Sequence, residues 1–135
     1  MAIQLSVAAR NARLDAIETA AGATAILRIR TGAQPATCAT ADSGTILSAM
    51  TLPADYMAAA SGGAKAKSGT WEDAAADAAG TAAHFRIYDS AGTTCHLQGS
   101  VSATGGGGDL ELNNVVLAVG QTVTITSFTL TDGNA

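Results

Sequence analysis

A chain of 135 residues can bury one domain's core, roughly two-thirds of its unfolded surface, and is too short for two comfortable domains. Hydrophobic residues at 47% argue against disorder, while charged residues at 13% are about half the roughly 25% usual in globular proteins. A net charge of −4 without a Lys/Arg cluster speaks against nucleic-acid binding as the main task, and no apolar run reaches the ~18 residues of a membrane span.

Ala (31), Thr (17) and Gly (15) fill the place of the missing charges. Such a surface loses little side-chain entropy when covered and has few ions to desolvate, which favours packing against neighbours. A GC-biased coding sequence accounts equally for the same composition. Met1 to Arg10 lacks the basic and apolar regions of a secretory signal, so a product made in the cytoplasm is expected.

The first element is a helix. Ser6 is a suitable N-cap, Val7, Arg10, Leu14, Ile17 and Ala21 follow the helical ladder, and Gly22 supplies the stop. Its apolar stripe is thin and Arg10, Arg13, Asp15 and Glu18 form a wet face, as expected of a helix lying on a sheet or on a partner. After Gly22 the period becomes two, giving a strand over 24–31 with Ala25, Leu27 and Ile29 on one face. A loop at 32–44 containing Pro35 precedes a strand at 45–52 that Pro53 stops, and 55–60 reads as a helical turn. Residues 64–71 read as a strand with Lys65 and Lys67 toward solvent, and 72–80 as a loop.

The remainder is read as strand after strand. Residues 81–88 alternate, with Phe85 and Ile87 inward and His84, Arg86 and Tyr88 outward. A turn at 89–92 leads to a strand at 93–103, making a hairpin. The glycine run Gly105–Gly108 reads as a flexible hairpin tip, and 109–119 and 121–131 as a pair joined at Gly120, with a bulge near Ser127. Seven short strands after one helix predict a mainly β fold: an antiparallel β-sandwich, jelly-roll-like, with one N-terminal α-helix. Residues 1–22 form a separate segment that could act as a docking arm, and 23–135 a single β-sandwich domain.

No constellation of residues commends itself for catalysis. His84 and His96 lie on the two arms of one hairpin, but Cys95 points away from His96, and two solvent-facing histidines are expected instead of a metal site. No serine sits in a Gly-x-Ser-x-Gly elbow. The pairs Glu72/Asp73 and Asp109/Glu111 read as solvated carboxylates, because one Trp, two Tyr and two Phe make a poor sugar-stacking cleft. The glycine run lacks the Lys-Ser/Thr and following helix of a phosphate loop. Cys38 and Cys95 lack metal-finger spacing; a disulfide is open to them, though free half-buried thiols are expected in the cytosol. Neither catalytic residue nor cofactor nor metal is implied. Trp71, the one large aromatic anchor, suits a core position or an interface hot spot.

Several stretches nevertheless resemble one family throughout the chain. They are residues 1–18 (Met-Ala-Ile-Gln-Leu-Ser through Asp-Ala-Ile-Glu), 65–73 (Lys-Ala-Lys-Ser-Gly-Thr-Trp-Glu-Asp), 83–89 (Ala-His-Phe-Arg-Ile-Tyr-Asp), 104–109 and 128–135. They are similar to small structural proteins of tailed bacteriophages. The resemblance implies a non-enzymatic virion component, with a capsid decoration (cement) protein on the head exterior as the leading expectation. The alternative is a tail, head-fibre or adhesin-type component that could bind glycans; an exposed platform of Trp71 and Tyr88 would support that. Expected partners are the major capsid protein, other virion proteins and further copies of itself, with neither nucleic acid nor membrane. Val7, Arg10, Arg13 and Leu14 are the expected docking residues, with Trp71, Gly106 and Gly107 as secondary contacts.

Overall fold

Residues 3–134 are described by the computed structural model as one helix and eleven short strands. The helix α1 (Val7–Ala21) starts where Ser6 Oγ accepts the Ala9 N–H at 3.2 Å. It stops at Gly22, whose N–H still donates to the Glu18 carbonyl at 2.8 Å while its φ of 81° turns the chain out of the helix. The strands are β1 (Ile26–Arg30), β2 (Ile46–Thr51), β3 (Ala64–Ala66), β4 (Trp71–Asp73), β5 (Gly80–Thr81) and β6 (His84–Tyr88). They continue as β7 (Cys95–Ala103), β8 (Leu110–Leu112), β9 (Val116–Leu117), β10 (Val123–Ile125) and β11 (Thr129–Thr131). The fold is mainly β, with an antiparallel-rich sheet and one helix.

A five-stranded sheet in the order β2-β1-β6-β7-β8 forms the centre, and β4/β10, β3/β11 and β5/β9 form three short ribbons. Period-two alternation sends Leu27 and Ile29 of β1 and Phe85 and Ile87 of β6 to one face. These join Trp71, Leu117, Val123 and Ile125 from the ribbons, and Phe128 from the break between β10 and β11, in one apolar cluster. Phe128 links the two sets, its ring 5.4 Å from Trp71 and 5.6 Å, edge-on, from Phe85. The indole N–H of Trp71 is shared between the Tyr56 and Ser68 carbonyls, both at 3.1 Å.

Several expectations from the sequence are corrected. Residues 55–60 form a turn and a bridge from Met57 to Lys67, with no helical turn. The stretch 64–71 is interrupted, and β3 and β4 pair with different partners. The segments 109–119 and 121–131 do not pair with one another, because β9, β10 and β11 return to β5, β4 and β3. The expected bulge near Ser127 is instead a break between β10 and β11, where the chain changes ribbon.

The glycine run is not a hairpin tip, since β8 lies parallel to β7. Parallel neighbours usually need a connection of a dozen or more residues. Here 104–109 suffices because the chain doubles back along the edge of the strand it has just left. Gly108 donates its N–H to Ser102 Oγ at 2.9 Å, and Ser100 N–H donates to the Asp109 carboxylate at 2.8 Å. A Cβ on Gly108 would lie 2.7 Å from the Ser102 backbone nitrogen, so the approach requires glycine.

Candidate interaction surface

The face of α1 expected to be wet is the face that docks on the chain itself. Asn11, Asp15 and Glu18 accept the backbone N–H groups of Gly63, Ala60 and Met57 at 2.9, 3.0 and 3.3 Å. These donors lie in a segment with few strand partners, and the helix supplies acceptors. Leu14, 4% exposed, is the main apolar anchor. The expected docking arm therefore packs against the β-rich remainder. Arg10 reaches the Asp132 carbonyl at 3.2 Å and Arg13 pairs with the Asp132 carboxylate at 3.2 Å, so both arginines meet an acid of their own chain.

Lys65 is likewise not a solvent-facing lysine. It is buried, with Nζ 2.7 Å from Asp15, 2.9 Å from Glu18 and 2.9 Å from the Ala58 carbonyl. Burial pulls its ammonium down, but the hydrogen bonds and charges of the two carboxylates outweigh it and the net direction is up. The hydrogen bond from Lys65, helped by the Ala60 N–H, holds the Asp15 carboxyl below its ordinary range.

A second buried charge cluster lies on the other face of the sheet. His84, Arg86 and Tyr88 are expected outward, yet they are 0%, 2% and 2% exposed because the 32–44 segment crosses over them. Arg86 donates to the Thr37 and Thr40 carbonyls, to Gln98 and to Asp42. Gln98 in turn donates to the Pro35 carbonyl at 2.7 Å. Asp42 also accepts from Arg30 at 2.7 Å and from the Tyr88 hydroxyl at 2.6 Å. Burial raises the Asp42 carboxyl, but Tyr88 and the two guanidiniums outweigh it, so its net direction is down. A carboxylate held this way is a structural counter-ion and a poor general base.

His84 faces Ser100 across the ladder, and its Nδ1 lies 2.9 Å from the Gly32 carbonyl. It is core, which corrects the expectation that both histidines face solvent; His96 is half-buried. Among the described residues no three His, Cys, Asp or Glu side chains lie together as metal ligands. A register shift at Ile87/Tyr88 sets Cys95 opposite Tyr88, so Cys95 lies on the Arg86 face and not with Leu97. Both cysteines are half-buried, and the Cys95 sulfur lies 2.7 Å from that of Cys38. Burial, and then the neighbouring Cys38, pushes the Cys95 thiol up to about 12.

The expected contact residues thus separate. Val7 is 48% exposed, and Gly106 and Gly107 are also open to solvent. Leu14 and Trp71 are buried, so neither offers a surface to a partner. All five aromatic side chains, Tyr56, Trp71, Phe85, Tyr88 and Phe128, are buried, which removes the platform a Trp71/Tyr88 glycan site would need. The exposed large hydrophobics among the described residues are Ile3, Val7, Val116 and Val119. A groove of about 490 Å³ runs between Ala16 and Ile17 of α1 and residues 131–134.

Each of the seven basic side chains engages its own chain. Besides the five above, Arg28 lies 4.5 Å from the Tyr88 ring and donates to the Gly92 carbonyl, and Lys67 donates to the Gly69 carbonyl. Sequence reasoning missed Lys65, Asp42, Arg86 and Asp132 as organising residues. The cross-strand neighbourhood of Arg28 and Arg86 that frames one of these clusters arises from long-range pairing of β1 with β6, which the order of residues does not display. Compared with protein families, curated proteins and solved structures, the chain matches none.

Proposed function

We propose that this protein is a non-enzymatic structural component of a tailed-phage particle, a capsid decoration protein that bridges major capsid subunits. The supporting observation is that all seven basic groups are turned to the chain's own acids, carbonyls and rings. What remains outside is rich in Ala, Thr, Ser and Gly, which neighbours can cover without desolvating unpaired cations. The whole-chain resemblance to phage structural proteins points the same way. We read the central sheet and the ribbons across the apolar cluster as two layers of a sandwich, jelly-roll-like in character. Such a rigid body offers loops for several weak contacts, which many symmetry-related copies turn into strong attachment.

The test is quantitative mass spectrometry of purified particles of the encoding phage. A decoration protein is present in proportion to the major capsid protein. A few copies per particle indicate the tail or fibre alternative, and absence from mature particles ends the virion reading. Ile3→Asp and Val7→Asp, both at exposed positions, are expected to weaken attachment without unfolding the protein. Point substitutions are preferable to deleting residues 1–13, which would also remove the contacts of Arg10, Asn11 and Arg13.

A further inference from the structure

We propose that Cys38 and Cys95 form an intramolecular disulfide that fastens the 32–44 segment across the sheet when the protein meets oxidising conditions. Cys95 faces this segment only because the strand shifts register beside it, between Ile87 and Tyr88. Cys38 is delivered to the same place by its neighbours, since Arg86 holds the carbonyls of Thr37 and Thr40 at 2.9 and 3.0 Å. The two sulfurs are already in contact, so closure asks for only a short further approach of one to the other. The chain contains only these two cysteines, so neither has a competing partner within the molecule. No third ligand joins them among the described residues to make a metal site.

Both thiols are half-buried, which leaves a route for a small disulfide such as oxidised glutathione. The Cys38 thiolate attacks one sulfur of that reagent and one reduced small thiolate departs. Cys95 then gives its proton to solvent as its sulfur displaces the second small thiolate. Two protein thiols are oxidised to one disulfide, and one small disulfide is reduced to two thiols. In reducing cytoplasm the pair stays open, and outside the cell it closes. This inference does not depend on the virion reading.

The purified protein is incubated with oxidised glutathione, quenched with iodoacetamide and weighed intact. The expected product has lost two hydrogens, carries no alkyl group and remains monomeric on a non-reducing gel. Trypsin should then release peptide 31–65 joined to peptide 87–135. Two alkylated cysteines, a persistent glutathione adduct or a cross-linked dimer each overturn the proposal. The oxidised protein should also melt higher than the reduced one and resist a non-specific protease within 32–44. Cys95→Ser, with a hydroxyl in place of the thiol, should lose both redox effects; equal melting of the oxidised and reduced native protein refutes the fastening role.

Discussion

Replacing Asp42 by Asn removes one negative charge and almost no volume, and it probes the layer beneath the 32–44 segment. The carboxylate accepts from Arg86 and Tyr88 at 2.6 Å and from Arg30 at 2.7 Å. The guanidiniums of Arg86 and Arg30 are only 2% and 7% exposed. Breaking a buried ion pair from one side costs about 3–5 kcal/mol, because the remaining charge is left without compensation. Asn keeps one acceptor oxygen but sets an amide donor against guanidinium donors. The Asp42 side chain is 34% exposed, so water screens part of the loss. The expected destabilisation is about 2–3 kcal/mol, measured by urea unfolding with an unchanged slope. Asp55→Asn, at an exposed site, serves as a control and should stay within about 0.5 kcal/mol of the native protein. Arg30→Leu in the Asp42→Asn background should recover part of the loss. An Asp42→Asn protein as stable as the control would refute the counter-ion reasoning.

The other buried cluster gives an asymmetric expectation: Lys65→Met should cost about 1–2 kcal/mol in urea unfolding, whereas Asp15→Asn with Glu18→Gln, which strands the ammonium, should cost about 3 kcal/mol or more. Gly108→Ala should destabilise by about 1–3 kcal/mol through its clash with the Ser102 backbone, whereas Gly62→Ala, with open space but φ of 61°, should lose only about 1 kcal/mol. Because Asp42 is held below its ordinary 3.8, its contribution is complete above that pH and is lost as pH falls through the depressed value; acid-titrated unfolding of Asp42→Asn should have a shallower limb there. At the alkaline end burial, and then Glu18, pushes the Tyr56 phenol from 10.0 to about 12, so stability should fall as pH rises between those values, and less steeply in Tyr56→Phe.

Local signals in the sequence read true where the partners are close along the chain. Ser6 and Gly22 bound the helix as their chemistry requires, and β1, β2 and the β6–β7 hairpin lie where alternation places them. Readings of the outer face failed for a physical reason. The segment that buries Arg86 does so largely with backbone carbonyls of Thr37 and Thr40, which no residue letter reveals. Alternation also cannot separate a solvated lysine from one that is paired, so Lys65 read as exposed until Asp15 and Glu18 were brought to it. Of the expected contact residues, Val7, Gly106 and Gly107 are at the surface, Arg10 and Arg13 serve the fold, and Leu14 and Trp71 belong to the interior.

The way β9, β10 and β11 return to β5, β4 and β3 bears on how the molecule is made. Thr131 meets Ala64 and Val123 meets Asp73, so the early ribbon strands have no partner until much later sequence has left the ribosome. Pairings this distant along the chain are entropically dear to close and tend to form slowly. In the interval β3 and β4 present open edges to any neighbouring nascent chain. A protein produced in many copies at once would therefore gain from delaying contact between chains until each has closed on itself.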